Sequence, residues 1–385
     1  MSNAATMAVE HPSVFIREEL EARGWSQVDL AYILGISTQQ LSPLLNGKRD
    51  ISPDMAVALG DAFDVPGEFF ANLQMLYDLN KAKKPDPGVR TRANWISTFP
   101  IREMIRRGWI EDTEPDLLDL QMMRFFNTNS VQEIPFIGAG DVCGHAAKKS
   151  AYEEITPTQL VWLHRVRVIA RTMDCPAYSR ESLIRTLSDL RAHMNDKDDL
   201  PNLPHLLWKC GVRFVIVEPL DGSKIDGVCT WLDGQPVIGI STRLNRMDNL
   251  CFVIRHEIEH VIREDGKQTT YSHVDVFEPD RNLDELPEEE RRADEAAAEF
   301  LIPQDKLASF MARKGKFISE RDVLAFAARH HIHPSVVVGQ IQYRRHLEGD
   351  DRAYSWLRKY LTGIRGYLQD WEYRDGWGHV ASVGL

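Results

Sequence analysis

Apolar residues recur at helical spacing along most of the chain, interrupted by one stretch that alternates instead. A compact helical head ends at "KAKKPDPGVRTR" (81–92), rich in Lys, Arg, Pro and Gly, which reads as a linker. Helical periodicity resumes in "IREMIRRGWI", "LLDLQMMRFF" and "PTQLVWLHRVRVIARTM", and "ESLIRTLSDLRAHM" carries it to about residue 194. The period then shortens. "GVRFVIVEPL" (211–220) and "DGVCTWLDGQPVIGIS" (226–241) are β-rich, with Asp233-Gly234 where a hairpin turn belongs. Two helices follow, "FVIRHEIEHVIRED" (252–265) and "PEEERRADEAAAEFLIP" (287–303), and the remainder, including an aromatic tail, reads as more helix. The pattern predicts an α+β fold, mostly helical. Its parts are an N-terminal helix-turn-helix bundle (1–80), a linker and helical middle segment (81–195), a small β-sheet with two helices (196–305), and a helical C-terminal region (306–385).

Composition narrows the class. The 385 residues are 43% hydrophobic and 27% charged, with no repeat and no low-complexity tract, so the chain buries ordinary cores. A formal charge of −11 argues against a protein coated in nucleic acid but allows a local basic patch. Five scattered cysteines (143, 175, 210, 229, 251) without a C-x-x-C pair suit reduced thiols. The start, "MSNAATMAVEHP", lacks the basic and apolar regions of a signal peptide, and no apolar run nears the ~20 residues that cross a bilayer. The expectation is a cytoplasmic protein with no membrane partner.

The head carries two helix starts in tandem. Ser26 with Asp29 three later caps one helix, Gly35 turns the chain, and Ser37 with Gln40 forms a capping box for the next. In a helix-turn-helix the second helix enters the major groove of double-stranded DNA. That places Thr38, Gln39 and Gln40 at base edges and Ser42, Asn46, Lys48 and Arg49 near phosphates. Two features limit the affinity. Pro43 inside this helix deletes the amide bond to Gln39, at roughly 3 kcal/mol if the helix stays straight. Residues 1–80 also hold four Arg or Lys against eleven Asp or Glu, a poor field for a polyanion. "SQVDLAYILGISTQQLSPLLNGKRDISPDMAVALGDAF" resembles the XRE-family helix-turn-helix, and "FFANLQMLYDLNKA" resembles the end of HigA-type antitoxins. Pro43 and the acidic field imply modest DNA affinity, for which a homodimer would be needed. Pro43 also departs from the family pattern, standing where relatives often carry a basic residue. Farther on, Arg165, Arg167 and Arg171 make a basic helix flank, whose ordinary fate is solvation or pairing with acids.

The sharper chemistry lies in "FVIRHEIEHVIRED". His256 and His260, four apart, project from one helix face, and Glu257 stands beside them. This H-E-x-x-H arrangement can grip one zinc ion with two imidazoles while the carboxylate faces its water. A zinc peptidase needs a third protein ligand. On the helix at 287–303 both Glu289 and Glu290 border the stripe of Ala293, Ala296, Ala297, Phe300 and Leu301, and periodicity does not choose between them. Asp294, one turn beyond Glu290, could take the second ring N–H of a histidine ligand. Tyr271 and His273 are candidate oxyanion donors. The histidines in "RHHIHPS" (329–335) read as helix-end caps.

"FVIRHEIEHVI" followed by "ERRADEAAAEFLIP" resembles the ImmA/IrrE metallopeptidases, with "IHPSVVVGQIQY" similar to the family's helical continuation. The resemblance implies a zincin-like core, assigns the third ligand to Glu290, and implies one zinc per chain, manganese being the alternative ion. Glu259 and Ala296 depart from the pattern, where relatives favour a small residue and an aromatic. The implied function is a cytoplasmic transcriptional regulator with a zinc-dependent endopeptidase domain, cleaving a repressor- or antitoxin-type protein in a stress or mobile-element response. Two alternatives stand beside it: a non-catalytic DNA-binding regulator whose metal site is structural or sensing, and a HigA-like antitoxin of a toxin–antitoxin pair.

Overall fold

The computed structural model describes residues 10–83, 86, 88–136, 155–267, 274–275, 286–315 and 317–383. The chain divides into two compact units, Met1–Asp86 and Pro87–Leu385.

The first unit is built from helices α1 (Ser13–Arg23), α2 (Gln27–Ile33), α3 (Thr38–Leu45), α4 (Pro53–Phe63) and α5 (Gly67–Lys81). The expected cap at Ser26 and capping box at Ser37 both form, and the Ser26 cap is a full box as well. The Ser26 side chain accepts from the Asp29 amide at 3.2 Å, and the Ser37 side chain from the Gln40 amide at 3.2 Å. Gly35 takes φ 66° in the turn between α2 and α3. Leu30, Leu41, Leu44, Leu59 and Phe63 fill the centre, all at most 2% exposed. Pro43 does not break α3, which runs on to Leu45 before Asn46 caps it. A helix of eight residues loses only one internal bond at that position.

The second unit is organised by a five-stranded sheet in the order β4-β2-β3-β1-β5. The strands are β1 (Arg213–Val217), β2 (Gly227–Leu232), β3 (Gln235–Ile240), β4 (Val274–Asp275) and β5 (Arg374–Asp375). β2 and β3 form the expected hairpin, with Asp233 at φ 50° and Gly234 at φ 76°. Positive φ at both central residues matches the strand twist, which is why Asp-Gly marks the turn. β1 runs parallel to β3 on one side and to β5 on the other.

Both faces of the sheet are covered. Phe214, Ile216, Ile238 and Ile240 face the core that holds Leu250, Val253 and Ile254 of α12 (Met247–Arg263). Val215, Val217, Val228 and Val237 face the core that holds Leu160, Trp162 and Val166 of α9 (Pro157–Thr172). This period-two split explains the nearly continuous apolar runs of the strands. The helical middle segment thus packs directly against the mixed core: α6 (Gly88–Thr98), α7 (Ile101–Arg106) and α8 (Pro115–Phe126) join the α9 side. The other core takes in α10 (Arg180–His193), α11 (Leu203–Lys209), α13 (Glu288–Leu301), α14 (Gln304–Lys314), α15 (Glu320–His330) and α16 (Pro334–Leu347).

Helix continues only to Leu347; beyond it the chain makes short turns, α17 (Arg365–Leu368) and β5. The open edge of β1 explains the change. The Trp371 indole donates to the Phe214 carbonyl at 2.9 Å, and β5 then pairs along the strand. Asp375 is 2% exposed and takes the Arg165 Nε–H at 2.7 Å and the Trp109 indole N–H at 3.1 Å. A second Arg165 nitrogen donates to the Ala381 carbonyl at 3.1 Å. Arg165 is therefore a buried strut and not part of a basic face.

Replacing Asp375 with Ala would strand that guanidinium in the interior. The expected cost is about 3–5 kcal/mol, read as a lower urea midpoint of tryptophan fluorescence. An unchanged midpoint would remove the strut assignment.

Candidate metal centre

Helix α12 is buried nearly all round, although Arg255, His256, Glu257, Glu259 and His260 all lie on it. Each ionisable group therefore needs a partner inside the protein. Helix α13 lies alongside. Its buried positions are Glu290, Ala293, Ala297 and Leu301, one stripe at helical spacing, while Glu289 is only half-buried. The alanines allow the close approach that brings Glu290 to the histidines.

His256 Nε2 lies 3.2 Å from Glu290 Oε2 and 3.0 Å from His260 Nε2. His260 Nε2 lies 3.5 Å from Glu290 Oε1. The opposite ring nitrogens are also placed. His256 Nδ1 meets Asp294 Oδ1 at 3.0 Å, and His260 Nδ1 meets Asp265 Oδ2 at 3.0 Å. A carboxylate only accepts, so each neutral ring carries its proton on Nδ1 and turns the Nε2 lone pair inward. Two lone pairs and a carboxylate then converge on one point. Such a donor set repels itself unless a cation sits at its centre. The spacing fits one: bonds of roughly 2.0–2.1 Å in a tetrahedron give edges of about 3.3–3.4 Å. Among the described residues no second cluster of this kind occurs.

Glu257 is fully buried, and its carboxylate rests against β2. A Cβ at Gly227 would come within 2.3 Å of Glu257 Oε1 and 2.5 Å of a Val253 methyl. The strand must be bare there for the carboxylate to fit. The two family departures settle without disturbing the ligands. Glu259 is bound by Arg255 at 2.8 Å and Arg263 at 3.0 Å. Burial pushes its carboxyl up, but those guanidinium bonds outweigh it and hold it below the usual range. Ala296 is half-buried beside the stripe.

Asp265 and Arg292 escaped the sequence reading. Asp265 follows the end of α12 and folds back over His260, and the Arg292 guanidinium donates to it at 3.1 Å. An acid shortly after the second histidine was the available signal. Gly227 escaped the reading too, its available signal being a glycine in a β-rich run. Tyr271 and His273 lie outside the described residues. His333 caps α16, accepting from the Ser335 amide at 3.1 Å, and so serves a helix end.

In the first unit Thr38, Gln39, Gln40, Lys48 and Arg49 are exposed. Gln40 Oε1 accepts from the Ser37 amide at 3.0 Å, so the cap uses its carbonyl. Asn46 donates to Ser42 at 3.1 Å, spending that pair locally. Arg17 donates to the Leu45 carbonyl at the end of α3. Arg23 donates to the Phe63 carbonyl at 2.9 Å and pairs with Glu19. Of the four basic residues within 1–80 only Lys48 and Arg49 form no ion pair or hydrogen bond among the described residues; further lysines follow at the end of the unit.

Residues 16–70 match the profile of a helix-turn-helix family, and residues 211–339 that of the IrrE N-terminal-like domain of M78 peptidases. Virulence-associated protein A' of Dichelobacter nodosus is 38% identical over 72 residues, 18% of this chain. The chain spans 63% of that relative's length. The solved Pseudomonas aeruginosa antitoxin HigA with higBA promoter is 35% identical over 19% of this chain and 80% of its own, with a TM-score of 0.19. A second Pseudomonas aeruginosa protein, solved with its 18-bp operator DNA, is 36% identical over 20% and 82%, also with a TM-score of 0.19.

One divalent ion per chain is expected by elemental analysis, and His256→Ala or Glu290→Ala should abolish it. Asp265→Asn should retain folding but weaken metal affinity about 10–100-fold, measured by chelator competition. Full affinity in that variant would remove Asp265 from the site.

Proposed function

We propose that this chain, which joins an XRE-type helix-turn-helix domain to an IrrE-like domain, is a cytoplasmic transcriptional regulator that also cuts a protein. The substrate class is a repressor- or antitoxin-type protein, in a stress or mobile-element response. The observation that supports the reading is the convergence of His256, His260 and Glu290, with the buried Glu257 one residue along α12 from His256.

His256, His260 and Glu290 would hold the ion, and two imidazoles with one carboxylate suit zinc, with manganese as the alternative. When bound, such an ion supplies a Lewis acid that polarises a carbonyl and acidifies water. The chain's own residues do the rest. Asp294 and Asp265 hold the imidazoles in the tautomer that offers Nε2. Glu257, about 100° round α12 from His256, takes the proton of the attacking water and delivers it to the leaving amine. The buried setting, with Val253 and Gly227 against Glu257, keeps bulk water from competing for that proton.

In the first unit Thr38 and Gln39, with the amide nitrogen of Gln40, would meet base edges, and Lys48 and Arg49 would meet phosphates. Met75, Leu76 and Leu79 of α5 are about half exposed or more, an apolar face suited to a homodimer. No described helix is long and apolar enough to cross a membrane.

Two outcomes follow. Lys48 and Arg49, the two cations that follow α3, mean about four neutralised phosphates per dimer, so log affinity for promoter DNA should fall with log salt at a slope near −3.6. A slope steeper than roughly −7 in fluorescence anisotropy would require basic contacts beyond Lys48 and Arg49. Glu257→Gln should slow peptide-bond cleavage about 10²–10⁴-fold while metal content and folding persist. If that variant cuts normally and His256→Ala alone fails, the site holds the fold or senses metal, and the peptidase reading goes.

A further inference from the structure

The two histidines of the metal centre are held in unlike ways. The acid on His256 Nδ1, Asp294, belongs to α13 and sits one turn from Glu290, so helical geometry fixes its backbone. The acid on His260 Nδ1, Asp265, lies beyond the end of α12. Glu264 takes a left-handed φ of 59° and reverses the chain, and the Asp265 amide returns to the His260 carbonyl at 3.0 Å. Neither helix nor strand carries Asp265, so its side chain is only as steady as the bonds that reach it from other elements. Among the described residues two do. The partly exposed Arg292 guanidinium donates to the carboxylate at 3.1 Å. The Trp231 indole N–H donates to the Asp265 carbonyl at 2.9 Å.

Trp231 is the more buried of the two. It is 8% exposed on β2, opposite Pro236 of β3, and its ring is flanked by the Tyr178 ring at 5.9 Å and the Lys267 ammonium at 5.1 Å. Residues 227, 229 and 231 alternate onto one face of β2. Cys229 enters the core that holds α12, Gly227 clears the place of Glu257, and Trp231 meets the turn after α12. One strand face thus reaches both Glu257 and the acid behind His260.

We infer that Trp231 is a positioning residue for the metal centre: its indole N–H holds Asp265 against His260, and so sets how fast a bound ion is released from the His260 side. The inference rests on the reading of His256, His260 and Glu290 as metal ligands and needs no peptidase activity. The physical reason is ring orientation. With Asp265 in place the imidazole is pinned at Nδ1 and its Nε2 points at the ion. When Asp265 swings away the ring is free to turn, and the centre keeps two ligands of three. Asp294, fixed within α13, does not swing in this way, so His256 and Glu290 retain the ion last.

The experiment follows zinc in the full-length protein. Equilibrium affinity is read by competition with a fluorescent chelator, and the release rate by stopped-flow transfer to excess chelator. Trp231→Phe keeps a ring against Tyr178 and loses the donor. It should weaken zinc about 3–10-fold, the size of one lost hydrogen bond, and the loss should appear as faster release. Two further variants separate positioning from a loosened fold. Tyr178→Phe removes a different bond to the end of α12, from the Tyr178 hydroxyl to the Val261 carbonyl at 3.2 Å, and should leave zinc affinity unchanged. In an Asp265→Ala background Trp231→Phe should have no further effect, because the indole acts through Asp265. Unchanged affinity in Trp231→Phe overturns the proposal. So does an equal loss in Tyr178→Phe, which would make the effect a general loosening of the helix end, or an additive loss on top of Asp265→Ala. If the wild-type protein takes up no zinc, the metal reading fails and the positioning role with it. If it binds zinc and cuts nothing, the peptidase reading alone fails.

Discussion

Two imidazole nitrogens and one carboxylate, held 3.0–3.5 Å apart, set the terms for the second unit. Left alone, two inward lone pairs and a carboxylate push one another away. Their positions must therefore be imposed from outside, and the surrounding structure does this. Asp294 and Asp265 fix the two rings, Arg292 steadies Asp265, and the alanines of α13 bring Glu290 close. Gly227 completes the arrangement by clearing a place for Glu257. On this buried helix four of the five ionisable side chains are engaged locally, Arg255 with Glu259 and each neutral histidine ring with an acid.

The sheet beneath serves as a rigid floor. Because α9 covers one face and α12 the other, β2 cannot shift without opening a core on either side. Gly227 is held in register with Ile240 on one neighbour and Asp275 on the other, and that register keeps the bare position beneath Glu257. A slip of one residue would put Val228 there and expel the carboxylate.

Local signals made the site legible wherever function needed adjacent residues. His256, Glu257 and His260 share one turn of one helix, so spacing alone placed them. Glu290 was ambiguous with Glu289 by periodicity because both border the stripe, and only the packing of α13 on α12 separates them. Asp265 was missed because its role depends on the chain folding back past the end of α12, which no period records. The caps at Ser26 and Ser37 were readable for the opposite reason: a capping box is complete within four residues. Arg165 looked like a surface cation because its partner Asp375 is 210 residues away. The edge strand β5 was hidden likewise, since two residues carry no periodicity and their pairing depends on the exposed edge of β1.

That distant pairing has a consequence for how the protein is made. The first unit has all of its core residues once α5 is synthesised, so it can fold while translation continues. The second unit cannot. Arg165 and the edge of β1 wait, without counter-charge and without a neighbour, until the ribosome has delivered Asp375 and Ala381. For much of synthesis the nascent chain is therefore a finished helix-turn-helix fold trailing an unsealed second body, and a ribosome stalled before residue 375 releases only the former complete. The order of the parts along the gene thus lets the second body close only after Asp375 and Ala381 have emerged.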